Sequence, residues 1–265
     1  MIMPMSFRLA AACAAFALWW TPPAVQAEPL LADAHEIMQR YLDADSARYS
    51  LREVTMTIRR GDEELRRALV LQGRRDRNEG EHRMLVTFTA PAEVNGTKFL
   101  VWSYDDTVRN SDMWTWLPAT KRIRRIASDS RKGAFMRSDL HNEDMERRAL
   151  DADTHTLAGS EPCGAVSCYV VESVPKDLRA TNYSKRKYWI HADMWLPVRI
   201  EYYDLHGRFL KSAEYTGFRE ISGYWAASEV TVRTPRNDSM TRMRYDSIVL
   251  DRELPASLFD QSALN

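Results

Sequence analysis

From residue 50 onward the apolar side chains recur at every second position, and that alternation is what most limits the folds open to this chain. Val54, Met56 and Ile58 share one side of a first strand, Gly61-Asp62 supplies a turn, and Leu65, Leu69 and Leu71 share one side of the returning strand. Met84, Val86 and Phe88 mark a third strand that stops at Pro91. Short strands follow at 99–102, 113–117 and 121–127, and the pattern resumes at 168–174, 185–190, 198–203, 208–216, 225–234 and 240–250. Gly207, Gly217, Gly223 and Asn237-Asp238 separate them. A helical period is clear only after Pro29, where Leu30, Leu31, Ala34, Ile37, Met38, Tyr41 and Leu42 form one stripe. A shorter helix is expected over 138–148, capped by Ser138 with Asp139 in its first turn, and a last helical turn over 255–258. About ten or eleven strands with helices on one face make a mainly β protein, a large curved antiparallel sheet. The long crossovers of a doubly wound nucleotide fold are missing.

The first 27 residues have the makeup of an export signal: Arg8, an apolar run over 9–20, then Val25-Gln26-Ala27 as a small-residue cleavage site. The run is shorter than the roughly 20 residues that span a bilayer. The expected mature chain is therefore a single domain over 28–265, exported to the periplasm. Cys13 falls inside the leader, leaving Cys163 and Cys168 as an even pair at C-x₄-C spacing. In an oxidising compartment this reads as a local staple, worth roughly 2 kcal/mol by loop entropy. With 37 Lys+Arg against 37 Asp+Glu, overall charge gives no reason to expect nucleic-acid binding or indiscriminate attraction to acidic membranes.

Large aromatics are spread over nearly every strand, among them Trp102, Trp114, Trp116, Trp189, Tyr202 and Trp225. Tyr202-Tyr203 must face opposite ways in a regular strand, so both faces of the sheet carry bulk in places. A curved sheet with an aromatic interior provides the concave, apolar shape of a small-molecule site. One segment concentrates positive charge: Lys121, Arg122, Arg124, Arg125, Arg131 and Lys132, with Asp129 the only acid among them. Guanidinium forks at a cavity mouth would suit phosphate or carboxylate headgroups; a solvated strand paired with Asp105, Asp106 or Asp112 would carry the same residues. No nucleophile elbow, P-loop or dinucleotide fingerprint is present, and His35-Glu36 lacks the second histidine of H-E-x-x-H because position 39 is Gln. Asp139, His141, Glu143 and Asp144 form the one acidic cluster with a histidine, read here as helix solubility more than as a cation site. No catalytic residue, metal or cofactor is expected, and the chain is read as a non-enzyme.

Several pieces become recognisable in order: Asn95-Gly96-Thr97-Lys98-Phe99-Leu100, Trp114-Thr115-Trp116-Leu117-Pro118, Lys121-Arg122-Ile123-Arg124-Arg125-Ile126 and Phe135-Met136-Arg137-Ser138-Asp139-Leu140. They continue in Cys168-Tyr169-Val170-Val171-Glu172, Tyr183-Ser184-Lys185-Arg186, Trp195-Leu196-Pro197-Val198-Arg199-Ile200-Glu201-Tyr202-Tyr203, Gly223-Tyr224-Trp225 and Leu258-Phe259. Together they resemble the outer membrane lipoprotein-sorting protein family, a branch of the LolA/LolB-like superfamily. The resemblance implies a single incomplete, half-open antiparallel β-barrel of about eleven strands, with helices covering a hydrophobic concave face. It also implies a periplasmic binder or carrier of lipid or lipoprotein acyl chains, in peripheral or transient contact with the membrane. The alternative is an adaptor or sensor for an RND-type exporter, with a hydrolase third. By position the resemblance assigns Trp114, Trp116, Leu117 and Phe135 to the cavity beside Trp102, Trp189, Tyr202 and Trp225. It assigns Arg122, Arg124 and Arg125, with Arg131, Lys132 and Arg137, to headgroup or partner contact. Arg137 stands where the family pattern has Gly and Leu140 where it has Phe; if that Gly serves a positive φ, an Arg there is strained or the loop bends differently.

Overall fold

The computed structural model describes residues 33–44 and 47–265; the expected leader and the start of the first helix lie outside them. One helix, α1 (Ala34–Ala44), precedes β1 (Tyr49–Arg60), β2 (Glu63–Asp76), β3 (Glu81–Ala90), β4 (Lys98–Tyr104), β5 (Asp112–Leu117) and β6 (Arg122–Arg125). After an irregular segment come β7 (Asp153–Cys163), β8 (Val166–Pro175), β9 (Tyr183–His191), β10 (Pro197–Asp204), β11 (Phe209–Thr216), β12 (Arg219–Ile221), β13 (Tyr224–Ala226), β14 (Glu229–Thr234) and β15 (Ser239–Leu250). All but β12 and β13 join one 13-stranded sheet in the order β6-β5-β4-β3-β2-β1-β15-β14-β11-β10-β9-β8-β7. Every neighbouring pair is antiparallel, and the two ends of the sheet do not meet. This is the curved antiparallel sheet expected from the alternation and the half-open barrel that the family resemblance implies, with two more strands in the main sheet than the upper count.

The register puts each strand's apolar set on a defined face. Val54 opposes Leu69 and Tyr245, Leu71 opposes Val86, and Val86 opposes Phe99, so these side chains line one continuous concave surface. Over one half of that surface, Val54, Met56, Ile58, Leu69, Phe88 and Phe99 pack against Phe135 from the irregular segment. Over the other half, Ala34, Ile37 and Met38 of α1 pack on Tyr169, Val171, Tyr188, Ile190, Ile200 and Ala213. The opposite face is apolar only beneath two covers. Leu254, Phe259 and Leu264 of the C-terminal tail bury Leu85, Leu100 and Trp114, and a smaller cluster joins Cys168, Val170 and Trp189.

Three departures from the sequence reading have physical causes. Residues 138–148 are not an α-helix but irregular chain with one 3₁₀ turn, Asn142–Met145, because their polar groups make other hydrogen bonds. Ser138 Oγ donates to Phe135 O (2.6 Å), Thr241 Oγ1 donates to the Asp139 carboxylate (2.7 Å), and the Asp144 carboxylate accepts from Lys211 Nζ (2.6 Å). Strand β7 escaped detection because its inward positions hold Asp153, His155 and Leu157 in place of a run of large apolar residues. The strand expected over 225–234 divides into β13 and β14. At the break, Ser228 N donates to Thr216 O (3.0 Å), and a Cβ on Gly217, whose φ is +65°, would lie 2.0 Å from Ser228 Oγ. Arg137 does adopt φ +63°, so the loop keeps the left-handed conformation and accepts its strain, about 1–2 kcal/mol for a residue with a Cβ.

Candidate functional site

A cavity of about 700 Å³ lies on the concave face where α1 and residues 143–153 arch over the sheet. Its lining reaches the start of β1, the end of β2 and the start of β3. Its floor is Leu71, Met84, Val101, Ile200 and Tyr202; Tyr188 and Tyr215 form a wall, and Met38, Tyr41 and Leu42 of α1 lie above. The chain makes this floor because inward positions of β2, β3 and β4 are contiguous by register: Gly73 opposes Met84, which opposes Val101.

The remaining wall is charged. Arg148 Nη2 meets Asp153 at 2.6 Å, Arg186 Nη2 meets Glu143 at 3.3 Å, and Arg131 Nε lies 3.4 Å from Glu146. Burial raises the carboxyl pKa of both Glu143 and Glu146, against the pull of these arginines and of hydrogen bonds to Glu143 from Thr181 and Asn182. At the mouth, His82 Nε2 bonds Asp105 at 2.8 Å and holds that carboxyl down at about 2, against partial burial. Behind the wall, Asp144 is locked by Lys211 Nζ (2.6 Å) and the Tyr183 hydroxyl (2.8 Å). His141 beside it accepts from Asn182 Nδ2 at 3.0 Å, and burial, with Lys211 nearby, pushes its pKa down to about 4. The acidic cluster of the sequence is thus a set of ion pairs and hydrogen bonds that holds the covering segment. Among the described residues no group of His, Cys, Asp and Glu is placed to hold a metal.

One serine–histidine pair has hydrolase-like spacing. Leu150 O accepts from His155 Nε2 (2.9 Å), which leaves Nδ1 to accept from Ser173 Oγ (2.7 Å). Ser173 is fully buried and does not line the cavity, so the pair fastens the 150s segment to β8.

Of the residues singled out in the sequence, Tyr202 and Arg131 line this cavity. Trp102, Trp114 and Trp116 lie on the opposite face under the C-terminal tail, where Trp102 Nε1 donates to Phe259 O at 2.9 Å. Leu117 is half-buried at the end of β5. Phe135 is fully buried 4.9 Å from the Phe99 ring, filling the other half of the concave face. Trp189 sits on the outer face and donates to Glu161 at 2.8 Å; Trp225 is 42% exposed on the β12–β13 hairpin. Arg122, Arg124 and Arg125 project from the exposed edge strand β6, with Arg125 Nε on Asp112 at 3.0 Å, the paired, solvated arrangement. Lys132 gives its carbonyl to Asn182 Nδ2 (2.8 Å), and exposed Arg137 lies against the β1–β2 hairpin, away from the cavity. Cys163 and Cys168 form the disulfide. Sequence reasoning missed Arg75, Arg147, Arg148, Arg186, Tyr188 and Tyr215 in the cavity wall. For Arg75 and Arg186 a signal existed: each stands at an inward position of a largely apolar alternation, which on β2 Arg67 interrupts as well.

The curved open sheet, the helix above it and the hollow between them make a LolA-like fold. A LolA superfamily protein from Nitrosomonas europaea superposes with a TM-score of 0.67 at 20% identity, covering 87% of this chain and 98% of that one. A putative outer membrane lipoprotein-sorting protein domain from Vibrio parahaemolyticus gives 0.82 at 24% identity, covering 87% and 97%. A DUF1329 family protein from Desulfovibrio piger gives 0.84 at 33% identity, covering 88% and 98%. A family model described as "-like: Uncharacterized protein" matches residues 80–265, well over half of the chain. No curated protein matches it. The chain belongs to the DUF1329 family. The Cys163–Cys168 disulfide suits an oxidising compartment such as the periplasm.

Proposed function

We propose that the protein is a periplasmic carrier that binds the acyl chain of a lipid or lipoprotein in the concave cavity. The observation that carries this reading is the 700 Å³ open hollow with an apolar floor, on a sheet that is packed solid around Phe135. Its volume lies within the roughly 300–1,000 Å³ typical of small-molecule sites. Burying about ten methylenes on Leu71, Met84, Val101 and Ile200 would yield roughly 8 kcal/mol before ordering costs, enough for useful affinity after losses. Likeness to a putative outer membrane lipoprotein-sorting protein supports the same class of cargo.

Release needs a shift of α1, which rests on the sheet through Ala34, Ile37 and Met38, and no chemical step. Transfer to a membrane exporter of the RND type would suit such a carrier. The large exposed apolar side chains among the described residues, Val108, Val174, Leu178, Leu205, Phe209 and Trp225, are dispersed over several loops and strands, which favours the carrier over an adaptor built on one broad patch. Delipidated protein titrated calorimetrically with palmitate and with a lipidated peptide is the direct test. Saturable binding to either is expected, and no binding to both removes the carrier reading.

A further inference from the structure

The cavity arginines are not equivalent. Arg148, Arg186 and Arg131 each face their own carboxylate across the wall, on Asp153, Glu143 and Glu146. Arg75 and Arg147 instead converge on one backbone carbonyl, Leu42 O in the last turn of α1, from Arg147 Nη2 at 2.5 Å and Arg75 Nη1 at 3.5 Å. Their side chains are 8% and 15% exposed. The Nε of each is buried without a hydrogen-bond partner. The nearby acids do not complete the set. Asp105 lies 3.4 Å from Arg147 Nε but is already bonded to His82, and half-exposed Asp43 reaches Arg75 Nη2 at 3.3 Å from the rim. Burial, and Arg147 alongside, lower the pKa of Arg75.

Two guanidiniums therefore share the partial negative charge of a helix C-terminus, roughly half an elementary charge spread over its last carbonyls. A carboxylate or phosphate carries at least a full charge and two or more acceptor atoms, and matches a pair of planar forks far better. The apolar floor begins beside them: on β2 the inward positions run Leu71, Gly73, Arg75, and on β3 they run Met84, His82. The geometry points to an oxyanion subsite at Arg75 and Arg147 that receives the head of a single-chain anionic amphiphile whose tail lies along Leu71, Met84 and Val101. The Leu42 carbonyl holds this place when the cavity is empty and yields it when α1 shifts. The subsite rests on the carrier reading for its tail, but not for its charge.

Palmitate and its uncharged glycerol monoester have the same tail, so calorimetry with both on the intact protein at pH 8 isolates the head. Palmitate is expected to bind at least about ten-fold tighter, the scale of one or two charge-assisted hydrogen bonds. The double variant Arg75→Gln/Arg147→Gln should lose that advantage while binding the monoester within about two-fold of the parent. Inorganic phosphate should compete with palmitate and leave the monoester untouched. Equal binding of the two amphiphiles by the parent protein overturns the subsite and leaves the carrier reading standing, a comparison that needs no variant to fold. Phosphate binding that is lost in the double variant, with neither amphiphile bound, keeps the subsite as one for free oxyanions and overturns its assignment to a single-chain amphiphile.

Discussion

The two halves of the concave face are made by the same sheet and covered by the same irregular segment, yet one is solid and the other hollow. Where β3 ends and β4 begins the segment delivers Phe135, which packs against Phe88 and Phe99 with ring centroids 6.0 and 4.9 Å away. Some ten residues later it delivers Glu143, Glu146, Arg147 and Arg148, whose charged heads pair along the wall and cannot collapse into the floor. A hollow in a protein interior normally closes, since its lining loses contacts without compensation. Here the ion pairs stand as struts, and the floor stays uncovered.

The sharpest way to break this contrast is to truncate the filler. Phe135→Ala should cost about 3–5 kcal/mol, as for large aromatics in a packed core. It should leave the affinity for palmitate unchanged, because Phe135 does not line the cavity. Urea denaturation gives the first number and calorimetry the second. A loss under 1 kcal/mol would mean that the solid half is not solid.

A pH titration separates the halves next. Neutral His141 lies among the groups that hold the covering segment, with its pKa pushed down to about 4 from an ordinary 6.5 by burial and by Lys211. Between those values the unfolded chain takes up a proton that the folded chain refuses, so stability is full above pH 6.5 and falls as the pH drops toward 4. The loss approaches about 3 kcal/mol at about 1.4 kcal/mol per unit. Buried His82 and His155 shift in the same direction and steepen it. Melting temperature against pH for the parent and for His141→Gln should show a shallower slope in the variant; parallel curves would place the acid sensitivity elsewhere.

Filling the hollow is the complementary test. Met84 is only half-buried and faces the cavity from β3, so Met84→Trp has room to turn into it. Stability should move by no more than about 1 kcal/mol, well below what overpacking a filled core can cost. Palmitate affinity should fall at least about ten-fold, since the tail and the indole compete for one floor.

These outcomes bear on what the sequence could convey. The sheet was legible because alternation with turn residues has few other solutions, and β1 through β5 fall where Val54, Leu69, Val86, Leu100 and Trp114 required. Which face becomes the cavity was not legible. Trp102, Trp114 and Trp116 alternate as regularly as Phe99, Val101 and Met113, and only the C-terminal tail over Leu100 makes theirs the closed face. The helix expected over 138–148 failed for a related reason: Asp139 and Asp144 find partners on Thr241 and Lys211, 102 and 67 positions away, and local patterning contains no trace of either. What could have been read was the intrusion of Arg67 and Arg75 into the inward series Leu65, Leu69, Leu71, since a charge in an apolar register must be paired or used.

The smallest effect belongs to the segment that looked most functional. Arg124 and Arg125 stand on the outermost strand, exposed, and Arg125 pairs with Asp112 at the surface. An exposed pair of this kind is worth roughly 0.2–1 kcal/mol, so Arg124→Gln/Arg125→Gln should shift stability by less than about 1 kcal/mol. Neither residue lines the cavity, and palmitate should bind the variant as it binds the parent. Charge on a sheet edge has another use. An open sheet has unpaired N–H and C=O groups along its last strand, and a second copy can pair with them unless like charges keep it away. Light scattering at rising protein concentration should therefore show more self-association in the variant, reversible at acid pH where the whole chain gains positive charge. A variant that stays dispersed but loses palmitate would move the headgroup contact back to this edge and away from Arg75 and Arg147.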